Sequence, residues 1–133
     1  MSVNNAIINI KNLRLRTYIG FNPEEKEKKQ DVIINIKINY ALHDGALDDH
    51  VDNALDYKKI TKEVIDHVES GRFLLLEKLV ADVLQICSIN TLVNHAQVTI
   101  DKPHALRFAD SVSLALEYIA DRTPGLKLVE NPQ

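Results

Sequence analysis

The chain contains no tryptophan, a single cysteine, and four glycines that stand apart at positions 20, 45, 71 and 125. Each shortage removes a class of protein. One cysteine, Cys87, excludes an internal disulfide; it falls among apolar residues at helical spacing, as a small buried hydrophobe suited to a reducing cytoplasm. Isolated glycines leave no phosphate-cradling loop and no dinucleotide fingerprint. Cys/His metal spacing and a nucleophile elbow are also missing, so neither a metal nor a cofactor is expected. No apolar run approaches the roughly 18 residues of a membrane span, and Met1-Ser2-Val3-Asn4-Asn5 has no basic leader, so no membrane partner is expected. Positive charge is in deficit too: a net charge of -3 argues against nucleic acid as the main partner. Aromatic residues make up 5%. The apolar mass is therefore aliphatic, which suits helices packed on a sheet.

What is present fits one α+β domain over residues 1–120, followed by an extended or disordered tail over 121–133 that carries Pro124, Gly125 and Pro132. Residues 6–18 alternate apolar and polar, with a phase slip around Lys11-Asn12 that predicts a bulge. Gly20 ends that strand, and Phe21 to Lys29 form a solvated connection or a short helical turn. Val32, Ile34, Ile36, Ile38, Tyr40 and Leu42 mark a second strand. Asp56 is placed to cap a helix from Tyr57 to Ser70, with Gly71 as a left-handed stop. A central helix follows from Arg72 to about Ile89, and strands around residues 96–101 and 111–118 close the chain. The order β-β-α-α-β-β predicts a four-stranded antiparallel sheet with both helices on one face. Such a sheet has two open edges, for which oligomerisation is the natural remedy.

The Asp-rich stretch 43–56 with His43 and His50 matches no ligand loop, and its carboxylates suit turns and caps. If the protein is an enzyme, it must work with ordinary acid, base and hydrogen-bonding groups. The candidates are Glu25, Tyr57, Glu77, Lys102, His104 and Arg107. Glu77 sits at the edge of the central helix's apolar arc, where a carboxylate either anchors backbone N–H groups or receives a ligand with paired donors. Lys102 lies at a strand end just before Pro103, a position equally suited to a rigidly held catalytic group and to a solvated lysine. Tyr57 could as readily be a core aromatic.

With these residues in view, the chain resembles the dihydroneopterin aldolase family, and within it the branch that epimerises dihydroneopterin triphosphate. The resemblance runs from about Ile7 to Leu116. Its segments are Ile10 to Gly20, Glu24-Glu25, Ala54-Leu55-Asp56-Tyr57, His67-Val68-Glu69 with Arg72-Phe73, Leu75 to Leu79, and Asp101 to Val112. It implies the tunnelling fold, in which β2α2β2 subunits join edge to edge into tetrameric barrels that stack as a homo-octamer, with active sites between subunits. It places the pterin-anchoring glutamate on Glu77, with Leu76 and Tyr57 as further pterin contacts. Lys102, Tyr57 and Glu25 become the catalytic residues, Tyr57 reaching the site of a neighbouring subunit.

The implied chemistry is retro-aldol cleavage of the C1'–C2' bond, with the dihydropterin ring as electron sink. Re-addition gives the 2'-epimer; escape of the aldehyde gives aldolase activity. The chain departs from the plain aldolase pattern in its turn His104-Ala105-Leu106-Arg107 and in Arg14 and Arg16. These four basic residues are the candidates to hold a triphosphate. A housekeeping aldolase and a non-catalytic pterin-binding module are the competing expectations.

Overall fold

The computed structural model describes residues 4–121. The tail assigned to 121–133 thus lies, beyond Asp121, outside the described residues. In chain order the elements are β1 (Asn5–Ile19), α1 (Pro23–Glu27), β2 (Gln30–Ala41), α2 (Asp44–Leu47), a 3-10 turn (Val51–Asn53), α3 (Tyr57–Ser70), β3 (Arg72–Phe73), α4 (Leu76–Ser88), β4 (Val93–Lys102) and β5 (Val112–Ile119). The sheet order is β3-β1-β2-β4-β5. The long strands pair antiparallel, and β3 joins β1 in parallel through Tyr18 with Arg72 and Ile19 with Phe73.

The α+β class and the order of the major elements agree with the reading above, but two details are corrected. The sheet has five strands rather than four, because Arg72-Phe73 is extended and not the start of the central helix. That helix begins at Leu76. Phe73 keeps the apolar rhythm of a helix while pairing with Ile19, and its carbonyl accepts from the Gly20 amide at 2.9 Å. The second correction is Gly71, which is extended (φ -96°, ψ 168°) instead of left-handed. Glycine is required there for room: a Cβ would meet the Phe73 ring and the His67 carbonyl.

Packing follows from the alternation. Ile34, Ile38, Val98 and Ile100 of the sheet meet Val64 and Val68 of α3 and Leu79 and Val83 of α4, all at 0% exposure. Truncating one of them, as in Leu79→Ala, costs about 2–5 kcal/mol through lost contact and the void left behind. The opposite face of the sheet is polar, as in an antiparallel sheet with one solvated side. The bulge expected at Lys11-Asn12 falls between Ile10 and Leu13, with Asn12 at φ 53° and its amide donating to Asn35 Oδ1 at 2.9 Å. That slip resets the phase of β1. Leu13, Leu15, Thr17 and Ile19 then face inward to the strand's end. Thr17, buried, donates its hydroxyl to the Val68 carbonyl at 2.6 Å and so ties the C-terminus of α3 to the sheet. Asp56 caps α3 as predicted, accepting from the Lys59 amide at 3.0 Å. Cys87 is buried, and burial pushes its thiol up to about 12.

Candidate active site

At one end of the sheet, β1 and β4 finish and β2 begins beside the short helix α1. Asn22 caps that helix by accepting from the Glu25 amide at 3.0 Å, and Pro23 supplies the fixed φ of a first turn. The cap aims Glu25 back over the sheet end. There its Oε2 accepts from Lys102 Nζ at 2.8 Å and from Gln30 Nε2 at 3.1 Å. The same Gln30 amide nitrogen donates to the Ile19 carbonyl at 2.5 Å, so one side chain fixes the end of β1 and the carboxylate together. Gly20, at φ 126°, makes this geometry possible: a Cβ would fall on the Glu25 carboxyl.

The Glu25–Lys102 pair is largely shielded, with side-chain exposures of 21% and 13%. The Lys102 hydrogen bond holds the Glu25 carboxyl below its ordinary value against the opposing cost of burial, and Gln30 and the Asn22 cap add to the lowering. Glu25 is therefore an anion at neutral pH. Both side-chain donors converge on Oε2, and Oε1 has no hydrogen-bond donor among the described residues.

The pair borders a cavity of about 280 Å³. Its other walls include Gly20, Phe21, Leu74, Leu76 and Glu77, with Ala105 from the turn after β4. This volume lies near the roughly 300 Å³ lower end of small-molecule sites. Glu77 stands in the first turn of α4, where the helix dipole favours a carboxylate. It is exposed and has no hydrogen-bond or ion-pair partner among the described residues. It is neither sealed against main-chain amides nor desolvated in the helix arc. Leu74, Leu75 and Phe21 on the rim are 59%, 50% and 66% exposed, a greasy mouth open to solvent.

Of the candidate residues, the structure thus brings Glu25, Lys102, Glu77 and Leu76 to one cavity. Tyr57 is elsewhere in the domain: 47% exposed, it borders a separate cavity of about 520 Å³ between α3 and β1 with Asn9, Ile10, Thr61 and Ile65. Arg14, Arg16 and His104 border a third, of about 440 Å³, on the polar face of the sheet. Arg16 is already engaged, donating to Asp31 Oδ1 at 2.9 Å and to the Lys29 carbonyl at 3.0 Å. Arg107 lines none of these cavities; its guanidinium lies 5.4 Å from the centre of the Phe108 ring. Gln30 was not foreseen, because a lone glutamine at the start of a strand carries no sequence signal. Asp82 of α4 is bound by His67 at 2.8 Å and Lys78 at 2.9 Å. Burial works to raise its carboxyl, yet Lys78 and His67 hold it below its ordinary value.

An α+β domain whose cavity joins an ion-paired glutamate and lysine to an unpartnered carboxylate has the groups that binding a small donor-rich molecule and moving protons on it require. The FolB dihydroneopterin aldolase model matches residues 8–117, and the chain belongs to the dihydroneopterin aldolase family. It is 50% identical over 113 residues to the dihydroneopterin triphosphate 2'-epimerase of Escherichia coli, an alignment covering 85% of this chain and 94% of that one. With the enzyme of the same name from Pseudomonas aeruginosa it shares 49% over 111 residues, covering 84% and 90%. Among solved structures it superimposes on Escherichia coli dihydroneopterin aldolase in complex with neopterin with a TM-score of 0.79, at 26% identity, covering 85% of this chain and 98% of that one.

Proposed function

We propose that this protein epimerises 7,8-dihydroneopterin triphosphate at C2', giving 7,8-dihydromonapterin triphosphate by retro-aldol and aldol steps. The observation that carries the reading is the meeting of Glu77, Glu25 and Lys102 on one cavity, in a chain half identical to enzymes of that name. Glu77 accepts two hydrogen bonds from the 2-amino and N3–H groups of the pterin, a bidentate match for a carboxylate that lacks donors of its own. Leu76 packs against the ring. Lys102, acting through water, exchanges the proton of the 2'-hydroxyl, and Glu25, accepting from it at 2.8 Å, holds it in place. When the C1'–C2' bond breaks, its electron pair passes through C6 to N5, which takes a proton, and C2' becomes an aldehyde. Attack of C1' on the opposite face of the aldehyde, with N5 giving up its proton and the 2'-oxygen regaining one, inverts C2'. The ring is the electron sink, so the reaction needs no cofactor.

Tyr57, remote from the pair within its own subunit, serves the site of a neighbouring copy, where it steers or protonates the intermediate. The open flanks of β1 and β5 and the exposed Phe21, Leu74 and Leu75 favour such an assembly: barrels of four subunits, stacked as an octamer in the cytoplasm. The family model itself favours a second reading, cleavage of dihydroneopterin to 6-hydroxymethyl-7,8-dihydropterin and glycolaldehyde. Incubating the protein with dihydroneopterin and, separately, with its triphosphate, then resolving products by chromatography, decides. The epimerase reading predicts dihydromonapterin triphosphate as the main product; fast release of 6-hydroxymethyl-dihydropterin from the unphosphorylated compound would replace it with the aldolase.

A further inference from the structure

A second cavity, of about 360 Å³ and with mainly polar walls, adjoins the catalytic one, and the two share Glu25 and Ala105. Beyond Glu25 it is bordered by Lys28, Lys29 and His104, with Glu24 as its other carboxylate. The charge of Glu25 is already met by Lys102, which leaves Glu24 facing two ammonium groups. Lys28, at the C-cap of α1, has no partner for its ammonium among the described residues. Lys29 reaches only a carbonyl, that of Glu69, at 3.5 Å, and lies 5.8 Å from the centre of the Tyr18 ring. Two cations without carboxylate partners, one step from the proton-transfer pair, create a surplus of positive potential suited to a polyanion. Arg16, by contrast, is spent on Asp31 and on the backbone of Lys29, so it braces the segment that carries the lysines. Arg14 belongs to the cavity on the polar face of the sheet, which meets this one at His104.

We infer that Lys28 and Lys29, together with His104, hold the triphosphate of the substrate, and that Arg16 is a positioning residue for Lys29. This rests on the pterin reading above and deepens it. The consequence concerns product choice. After C1'–C2' cleavage the aldehyde fragment carries all three phosphates, so the residues that grip them decide whether the fragment stays to re-add or leaves. The lysines therefore select both the phosphorylated substrate and the epimer over the cleavage product.

The test uses the full chain, calorimetry with neopterin and with neopterin triphosphate, and product analysis from dihydroneopterin triphosphate. In the Lys28→Ala/Lys29→Ala double variant, Kd for neopterin triphosphate rises at least about tenfold, while Kd for neopterin moves less than about twofold. The ratio of cleaved to epimerised product rises with it. An unchanged triphosphate affinity in the double variant, or an equal loss for both ligands, overturns the assignment of the lysines while leaving the pterin site standing. A wild-type protein that binds neither ligand overturns the pterin reading itself, and this inference with it.

Discussion

Two carboxylates border the candidate cavity and are held in opposite ways. Glu25 is largely shielded, accepts from Lys102 and Gln30, and is kept ionised by them. Glu77, exposed at the start of α4, has no partner among the described residues. Each arrangement suits a different task. A proton-transfer pair must keep its geometry before substrate arrives, which costs the partial desolvation of an ion pair and its supports. A recognition carboxylate must keep its lone pairs free for the ligand's donors, and it can do so cheaply at a solvated helix N-terminus. Substitution at Glu25 or its supports should therefore disturb stability and turnover together, whereas substitution at Glu77 should disturb binding alone.

The largest effect is expected at the pair. Lys102→Ala should lower turnover by at least about 10²-fold while neopterin binding, followed by fluorescence, stays within a few-fold. Undiminished turnover would remove the lysine from the chemistry. Next comes Glu77→Gln, in which one acceptor becomes a donor facing the ring's own donors; pterin affinity should fall roughly 10²-fold. Because Glu77 has no partner to lose, stability should fall by no more than the roughly 0.3–1 kcal/mol of a carboxylate at a helix N-terminus, and a larger drop would erase the contrast with Glu25.

Gly20→Ala should act on both properties. A left-handed alanine whose Cβ displaces the Glu25 carboxyl is expected to cost about 1–2 kcal/mol in denaturant unfolding and to slow turnover in parallel. The smallest effect is the response to pH. Glu25 and Asp82 have lowered pKa values in the folded state, so their stabilisation is complete above the ordinary carboxylate range and is lost as pH falls through the lowered values. Cys87 behaves oppositely at the alkaline end. Its folded thiol keeps the proton up to about 12, so stability should decline as pH rises from the thiol's ordinary value of 9.0. Thermal melts of the wild type and of Cys87→Ala across both limbs would check the two signs, the variant keeping the acid limb and losing the alkaline one.

Much of this was legible in the chain, for identifiable reasons. The slip at Lys11-Asn12 was visible because one apolar face of β1 hands over to the other, and Asp56 announced the start of α3 by residue type. Arg72-Phe73 was misread because a two-residue strand paired in parallel with a segment more than fifty positions earlier leaves no local period. At Glu77 residue type and position left a backbone anchor and a ligand receptor both open, because neither reports what surrounds the side chain; the structure gives it solvent and an open cavity. The ion pair itself, which spans 77 positions, could not be read from spacing. The triphosphate candidates rested on charge and on the departure from the aldolase turn, and neither reveals that Arg16 is occupied or that Lys28 and Lys29 lie beside Glu25.

The account turns on where the heterocycle lies. A crystal structure of the protein soaked with neopterin tests this most directly: the ring should occupy the cavity between Leu76 and Lys102, its 2-amino and N3–H groups on the two oxygens of Glu77 and its hydroxylated side chain toward the Glu25–Lys102 pair. A ring bound in the groove between α3 and β1, or one that leaves Glu77 solvated, would contradict it.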